Sequence, residues 1–121
     1  MPEDTCSALE SDAGAVRAVS ARASSDERIE RTAAIFSAIA DPTRLRILEA
    51  LAVRELCVCD LSEISGISQS GVSHQLRLLR DRGLVAFTRD GNRAVYRLAD
   101  HHVTGLLAQG FEHADEWVDA R

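Results

Sequence analysis

The chain contains no lysine: all 14 of its basic residues are arginine, so every cation it offers is a planar, forked guanidinium. It is also short of aromatics, with three phenylalanines, one tyrosine and one tryptophan, which leaves the core to Leu, Ile, Val and Ala. Long apolar runs are missing too. The longest nearly apolar stretch, Ala33 to Ala40, is eight residues with a serine inside it. A membrane-spanning helix needs ~20 residues, so no membrane association is expected. The N-terminus, Met1-Pro2-Glu3-Asp4, is acidic and lacks a basic-then-apolar pattern, which argues against a secretory signal. Three cysteines, an odd number, argue against a disulfide framework and for a reducing, cytoplasmic compartment. There are no internal repeats, and low complexity is confined to the Ala/Ser-rich start.

What is present is enough for one domain. The 121 residues, 45% hydrophobic and 27% charged, can bury one modest core, and that composition excludes disorder for most of the chain. A net charge of −5 would speak against nucleic acid, but its distribution reverses that reading. Residues 1–30 carry three Arg against seven acids, and residues 98–121 carry one against five. Between them, residues 44–97 carry nine Arg against six acids. A phosphate backbone feels local charge, so a basic centre between acidic ends suits nucleic acid.

Residues 1–25 lack strong apolar periodicity and read as a mobile or partly helical tail, with a short surface helix over Ala13 to Ala23. The domain then occupies residues 26–121. Ser25-Asp26 caps a helix from Arg28 to Ala40, with Ile29, Ala33, Phe36, Ile39 and Ala40 at helical spacing. Asp41-Pro42 ends it, and Pro42 suits the first turn of the next helix, Thr43 to Ala52, whose stripe is Leu45, Ile47, Leu48 and Leu51. A third helix, Val58 to Ser65, turns Leu61 and Ile64 inward. After Gly66-Ile67-Ser68, either Ser68 or Ser70 caps a fourth helix reaching about Arg82, with Val72, Leu76 and Leu79 buried. Gly83 is a C-terminal cap, after which the period drops to two. Leu84 to Thr88 and Ala94 to Leu98 are paired strands, joined through Asp90-Gly91. Asp100 caps a last helix from His101 to about Asp119.

The fold class is therefore mainly α with a small β-hairpin, arranged as a winged helix-turn-helix. On its second helix the exposed positions are Gln69, Ser70, Ser73, His74, Gln75, Arg77 and Arg80. Short hydroxyls and amides near the helix start reach base edges, and the helix N-terminus attracts phosphate. Arg89 and Arg93, at the hairpin tip, are placed for the minor groove or the flanking backbone. The DNA-binding set is thus Gln69, Ser70, Ser73, His74, Gln75, Arg77, Arg89 and Arg93. A solvated polar helix and a charged turn would have the same composition, but the three features occur together here.

Three segments in this order carry a resemblance: Ala40-Asp41-Pro42-Thr43-Arg44-Leu45-Arg46-Ile47-Leu48, Glu55-Leu56-Cys57-Val58-Cys59-Asp60-Leu61, and Ser70-Gly71-Val72-Ser73-His74-Gln75-Leu76. Over about residues 30–117 the chain resembles the ArsR/SmtB family of metal-sensing repressors. The resemblance implies a homodimer, joined through its terminal helices, that leaves its operator DNA when metal binds.

Cys57 and Cys59 flank one valine. In an ideal helix, residues two apart point about 200° away from each other and cannot share an ion. They can if Cys57 sits at the extended start of its helix, and a disulfide between them would be badly strained. Two such cysteines are either small buried hydrophobes or, beside Asp60, thiolate ligands for a soft ion. Cys6, on the tail, can swing over to complete a trigonal set. Family members with a cysteine site at this helix draw such ligands from the tail of the other subunit, which implies the same for Cys6. The resemblance also places Ser62 where arsenic sensors carry a third cysteine.

The last helix carries Asp100, His102, His113 and Glu116. His102 and His113 are about 20° apart in angle but about 16 Å apart along the axis, so one helix cannot wrap both around one ion. Two antiparallel copies can, each Asp100/His102 meeting the other copy's His113/Glu116, with N/O chemistry suited to Zn(II). Val103, Leu106, Leu107, Phe111, Ala114, Trp117 and Val118 supply an apolar seam. The same residue types at this spacing form the zinc site of the family's zinc sensors.

The expected function is repression that ends when Zn(II), or a softer ion such as Cd(II) or Pb(II) at the cysteines, shifts the dimer by a few kcal/mol (roughly) toward a shape that misplaces its reading helices. His102 and His113 must be neutral to bind, which couples sensing to pH. The alternative is a thiol-redox or sulfur-responsive repressor of the same fold using Cys57 and Cys59. An enzyme is not expected, because each ion would be saturated by side chains with no further catalytic group beside it.

Overall fold

The computed structural model describes residues 10–120, and along these the chain divides into two compact units, one up to Arg31 and one from Thr32. The first unit holds α1 (Ala13–Ser20), started by Asp12, whose side chain accepts the Ala15 N–H at 3.0 Å. This helix is shorter than the sequence reading, which carried it to Ala23; the chain leaves helical geometry past the cap at Ala21. α2 (Asp26–Ile39) begins in this unit, where Ser25 Oγ accepts the Arg28 N–H at 3.2 Å, and runs on into the second.

In the second unit, α3 (Pro42–Val53) starts on Asp41, whose carboxylate accepts the Arg44 N–H at 3.0 Å, and Pro42 fills the first turn, where its missing N–H costs nothing. α4 (Val58–Ser65) and α5 (Gln69–Asp81) are joined by three residues, with Gly66 in the left-handed region at φ 77° and Ser68 capping α5 through the Gly71 N–H. Of the two serines that could have capped α5, Ser68 does so. At the far end Leu84 N–H donates to the Leu79 carbonyl and Gly83 N–H to the Arg80 carbonyl, the paired bonds of a Schellman motif that turns the chain into the sheet.

β2 (Val85–Asp90) and β3 (Arg93–Leu98) pair antiparallel from Val85↔Leu98 to Asp90↔Arg93. Gly91 has the positive φ, 65°, that a type II′ turn needs at its first central position. The hairpin is not alone. β1 (Leu56–Cys57) adds a third strand beside β3, with Leu56 opposite Tyr96 and Cys57 opposite Val95, giving the order β1-β3-β2. Two residues show no periodicity, so this strand had no signature in the sequence. α6 (His101–Ala120) follows, and none of the helices in the described residues is long and apolar enough to cross a membrane.

One aliphatic core joins these elements. Ile47, Leu48 and Leu51 of α3 meet Leu61 of α4, Val72, Leu76 and Leu79 of α5, Leu84 and Val85 at the sheet, and Val103 and Leu107 of α6. Two expectations need correction. Ile64, expected inward, is 56% exposed, because only one side of the eight-residue α4 is covered and Leu61 takes it. Val103 and Leu107, expected in a seam between subunits, are each only 5% exposed and belong to the chain's own core. Leu76→Ala is therefore expected to cost about 2–5 kcal/mol, whereas Ile64→Ser should change stability by no more than about 1 kcal/mol. Urea unfolding at fixed protomer concentration measures both, and equal losses would contradict this packing.

Candidate DNA interface and metal-ligand positions

α5 buries Val72, Leu76 and Leu79 and leaves Gln69, Ser70, Ser73, His74, Arg77 and Arg80 exposed. Taking 100° per residue, Ser70, Ser73, His74 and Arg77 span about 100° of the helix opposite the core. Ser70 Oγ lies 3.2 Å from the capping Ser68 Oγ, so the hydroxyls gather at the helix start, where the free N–H groups favour an anion. Arg80 does not stand free: its Cζ lies 5.1 Å from the centre of the Phe87 ring, which itself packs 5.3 Å from Tyr96. This tie links the end of α5 to the hairpin. Gln75 differs from the sequence reading. It is half-buried rather than exposed, and its Oε1 accepts a hydrogen bond from Arg44 Nη1 at 3.0 Å.

Arg89 and Arg93 are both exposed at the hairpin end. Paired residues share a face of an antiparallel ribbon, and Arg89 pairs with Ala94 while Arg93 pairs with Asp90, so the two arginines lie on opposite faces. Arg93 lines a groove of about 220 Å³ with Cys57, Val58, Cys59, Asn92 and Ala94. The hairpin and the cysteine pair are thus one neighbourhood, which the sequence separates by more than 30 positions.

Cys57 is the last residue of β1 and the cap of α4, with extended φ −91° and ψ 172°. This is the extended start that two cysteines one residue apart require if they are to face a common ion. Cys57 is buried, at 6% exposure, and Cys59 is exposed. Both the thiol and the backbone N–H of Cys57 donate to Asp60 Oδ2, at 3.1 and 3.2 Å. The thiol bond, then the backbone bond, with smaller help from Arg93 and Arg54, hold the Asp60 carboxyl below its ordinary pKa. Cys6 lies outside the described residues. Ser62 is engaged in the fold, its hydroxyl donating to the Ile67 carbonyl at 2.6 Å and fixing the turn between α4 and α5.

At the start of α6, Asp100 Oδ1 accepts the N–H groups of His102 and Val103 at 3.0 and 3.3 Å and lies 3.4 Å from His102 Nδ1. His101 stacks on His102, ring centres 4.4 Å apart. His113 and Glu116 are exposed near the other end, three residues apart on one face. The structure brings Asp100 to His102 but keeps that pair away from His113 and Glu116. Among the described residues of one chain, no three His, Cys, Asp or Glu side chains gather into a metal-sized cluster. Beside His113 an apolar groove of about 620 Å³ runs between α2, α3 and α6, lined by Phe36, Ile39, Leu45, Leu106 and Phe111 among others.

Known proteins share this arrangement. The family described as "Bacterial regulatory protein, arsR family" matches residues 41–86. The chain is 46% identical over 101 residues to a transcriptional repressor SmtB homolog of Synechocystis sp., covering 84% of this chain and 76% of that one. It is 39% identical over 85 residues to a cadmium resistance transcriptional regulatory protein CadC homolog of Staphylococcus aureus, covering 69% and 70%. Its fold is similar, at a TM-score of 0.75 and 32% identity, to the homodimeric winged helix-turn-helix DNA-binding domain of a possible ArsR-family transcriptional regulator from Mycobacterium bovis, over 81% of this chain and 94% of that one.

The burial difference between the cysteines has a direct readout. Under a limiting maleimide, with modified peptides counted by mass spectrometry, Cys59 should label about tenfold faster than Cys57 in the folded protein, and the two should converge in denaturant. Equal rates in the folded state would contradict the position of Cys57.

Proposed function

This chain belongs to the bacterial arsR family of regulatory proteins, a DNA-binding regulator of transcription and not an enzyme, and we propose that it is a metal-responsive repressor acting as a homodimer in the cytoplasm. α5 enters the major groove of the operator, with Gln69, Ser70, Ser73, His74 and Arg77 toward the DNA. Arg89 and Arg93 reach the flanking backbone or minor groove.

The observation that carries the metal reading is on α6. Two exposed donor pairs, Asp100 with His102 and His113 with Glu116, stand at opposite ends of a helix whose remaining exposed face holds Leu106, Phe111, Trp117 and Val118. Separate in one chain, the pairs become complementary when two such helices lie antiparallel. Asp100 and His102 of one subunit with His113 and Glu116 of the partner subunit then supply two nitrogen and two oxygen donors, a set that suits Zn(II). The apolar groove beside His113 gives the second copy a surface to cover. The homodimeric state of the similar Mycobacterium bovis domain supports the assembly.

The cysteines form the second proposed position. Cys57 and Cys59, joined by Cys6 from the tail of residues 1–25, offer thiolates to a soft ion such as Cd(II) or Pb(II). The extended Cys57 supports this, as does a relative named for cadmium resistance. When bound between two α6 helices, a metal would bridge donor pairs that one chain keeps apart, and this favours one dimer shape over another.

Gel shifts on the promoter just upstream of its own gene test the proposal. The metal-free protein should bind, and Zn(II) should release it at about one ion per subunit. His113→Ala should raise the Zn(II) needed at least about tenfold, the scale expected when one of four ligands is lost. Cys57→Ser should keep the Zn(II) response and lose the Cd(II) response. Full metal-induced release by both variants would sink the proposal, and release by oxidant without metal would favour a thiol-redox repressor.

A further inference from the structure

Arg44 has a heavily engaged side chain, and its bonds reach neither proposed metal position. Its side chain is 19% exposed. Nε donates to the Ala38 carbonyl at 2.6 Å, Nη1 donates to Gln75 Oε1 at 3.0 Å, and Nη1 lies 4.0 Å from Asp41 Oδ2. One guanidinium thus joins the end of α2, the start of α3 and the middle of α5. Ala38 offers one of the last four carbonyls of α2, which have no partner within the helix, and a cation is favoured there.

Gln75 projects about 180° away from the direction midway between Ser73 and Arg77, so it lies on the back of α5 as seen from the exposed face. Arginine has only donors, so the Gln75 amide must turn its oxygen toward Arg44, and its orientation is fixed without ambiguity.

We propose that Arg44 is a positioning residue for DNA recognition: through Gln75 it sets the tilt of α5 against α2, and so the angle at which Ser70, Ser73 and Arg77 meet the duplex. This rests on the reading of α5 as the DNA-contacting helix. Gln75 then serves as an anchor for that helix, not as a reader of bases. A planar fork suits the role, since it fixes direction as well as distance, which an ammonium does not.

The test uses the full-length protein, a duplex selected by the wild type from a randomised pool, and a scrambled duplex of the same composition, over a range of salt. Arg44→Ala and Gln75→Ala should each weaken binding to the selected duplex at least about tenfold, with the double variant no worse than the weaker single, as for two residues sharing one contact. Binding to the scrambled duplex should change by less than about twofold with an unchanged salt slope, because no phosphate contact is lost. Gln75→Glu, whose carboxylate accepts the same guanidinium, should stay within about threefold of wild type on the selected duplex, and Arg44→Lys should not. Loss on both duplexes with a slope shallower by about one would make Arg44 a phosphate contact and overturn the proposal. Gln75→Glu as damaging as Gln75→Ala would overturn it by making Gln75 a reader of bases. If Arg44→Ala melts at the assay temperature, the Gln75 pair decides, since it leaves the bonds to Ala38 and Asp41 in place. A wild type that selects no sequence would remove the premise about α5 itself.

Discussion

The structure depends on a single aliphatic core that five elements must share. Ile47, Leu48, Leu61, Val72, Leu76 and Leu79 are essentially inaccessible, and no polar or charged residue in the described residues is buried with them. A core this small leaves no element with contacts to spare. α5 can turn a polar face outward because Val72, Leu76 and Leu79 hold its other face. α6 can carry exposed donors at both ends because Val103 and Leu107 fasten it near its start. The polar contacts then set orientation where the apolar ones supply adhesion: the Schellman turn after α5, the Ser62 bond in the turn before it, and the Arg44 fork behind it.

Much of this was legible in the chain because its signals are local. α4 runs over the residues expected, Val58–Ser65, since its end is marked by a left-handed glycine at Gly66. Asp41-Pro42 and Ser68 start their helices for reasons visible in single residues. The misses share a different cause, which is that they are decided by a distant partner. β1 exists only because β3 passes beside it. The apolar stripe of α6 is wide enough for two neighbours, and periodicity could not say that Val103 and Leu107 go to the chain's own core while Leu106 and Phe111 do not. Gln75 is a polar residue beside the buried stripe, and only Arg44, 31 positions earlier, makes it half-buried.

The candidate ligands divide in the same way. Asp100 and His102 could be paired from spacing alone and do touch. In the proposed assembly they meet His113 and Glu116 of the partner subunit, and within one chain all four are exposed. The cysteines gain most from the fold. In the sequence they adjoin a helix, whereas in space they adjoin the hairpin arginine Arg93 and end a strand of its sheet.

Two of the proposed ligands do a second job. Asp100 starts α6 by accepting the His102 and Val103 N–H groups, and Cys57 starts α4 at the end of β1. His102, His113 and Glu116 project from helix positions that contribute nothing to the core. Over evolutionary time this makes the three replaceable without loss of the fold, so the ion a descendant answers to can drift by substitution at those positions. Asp100 and Cys57 are held by folding as well as by chemistry, and change there would be filtered twice.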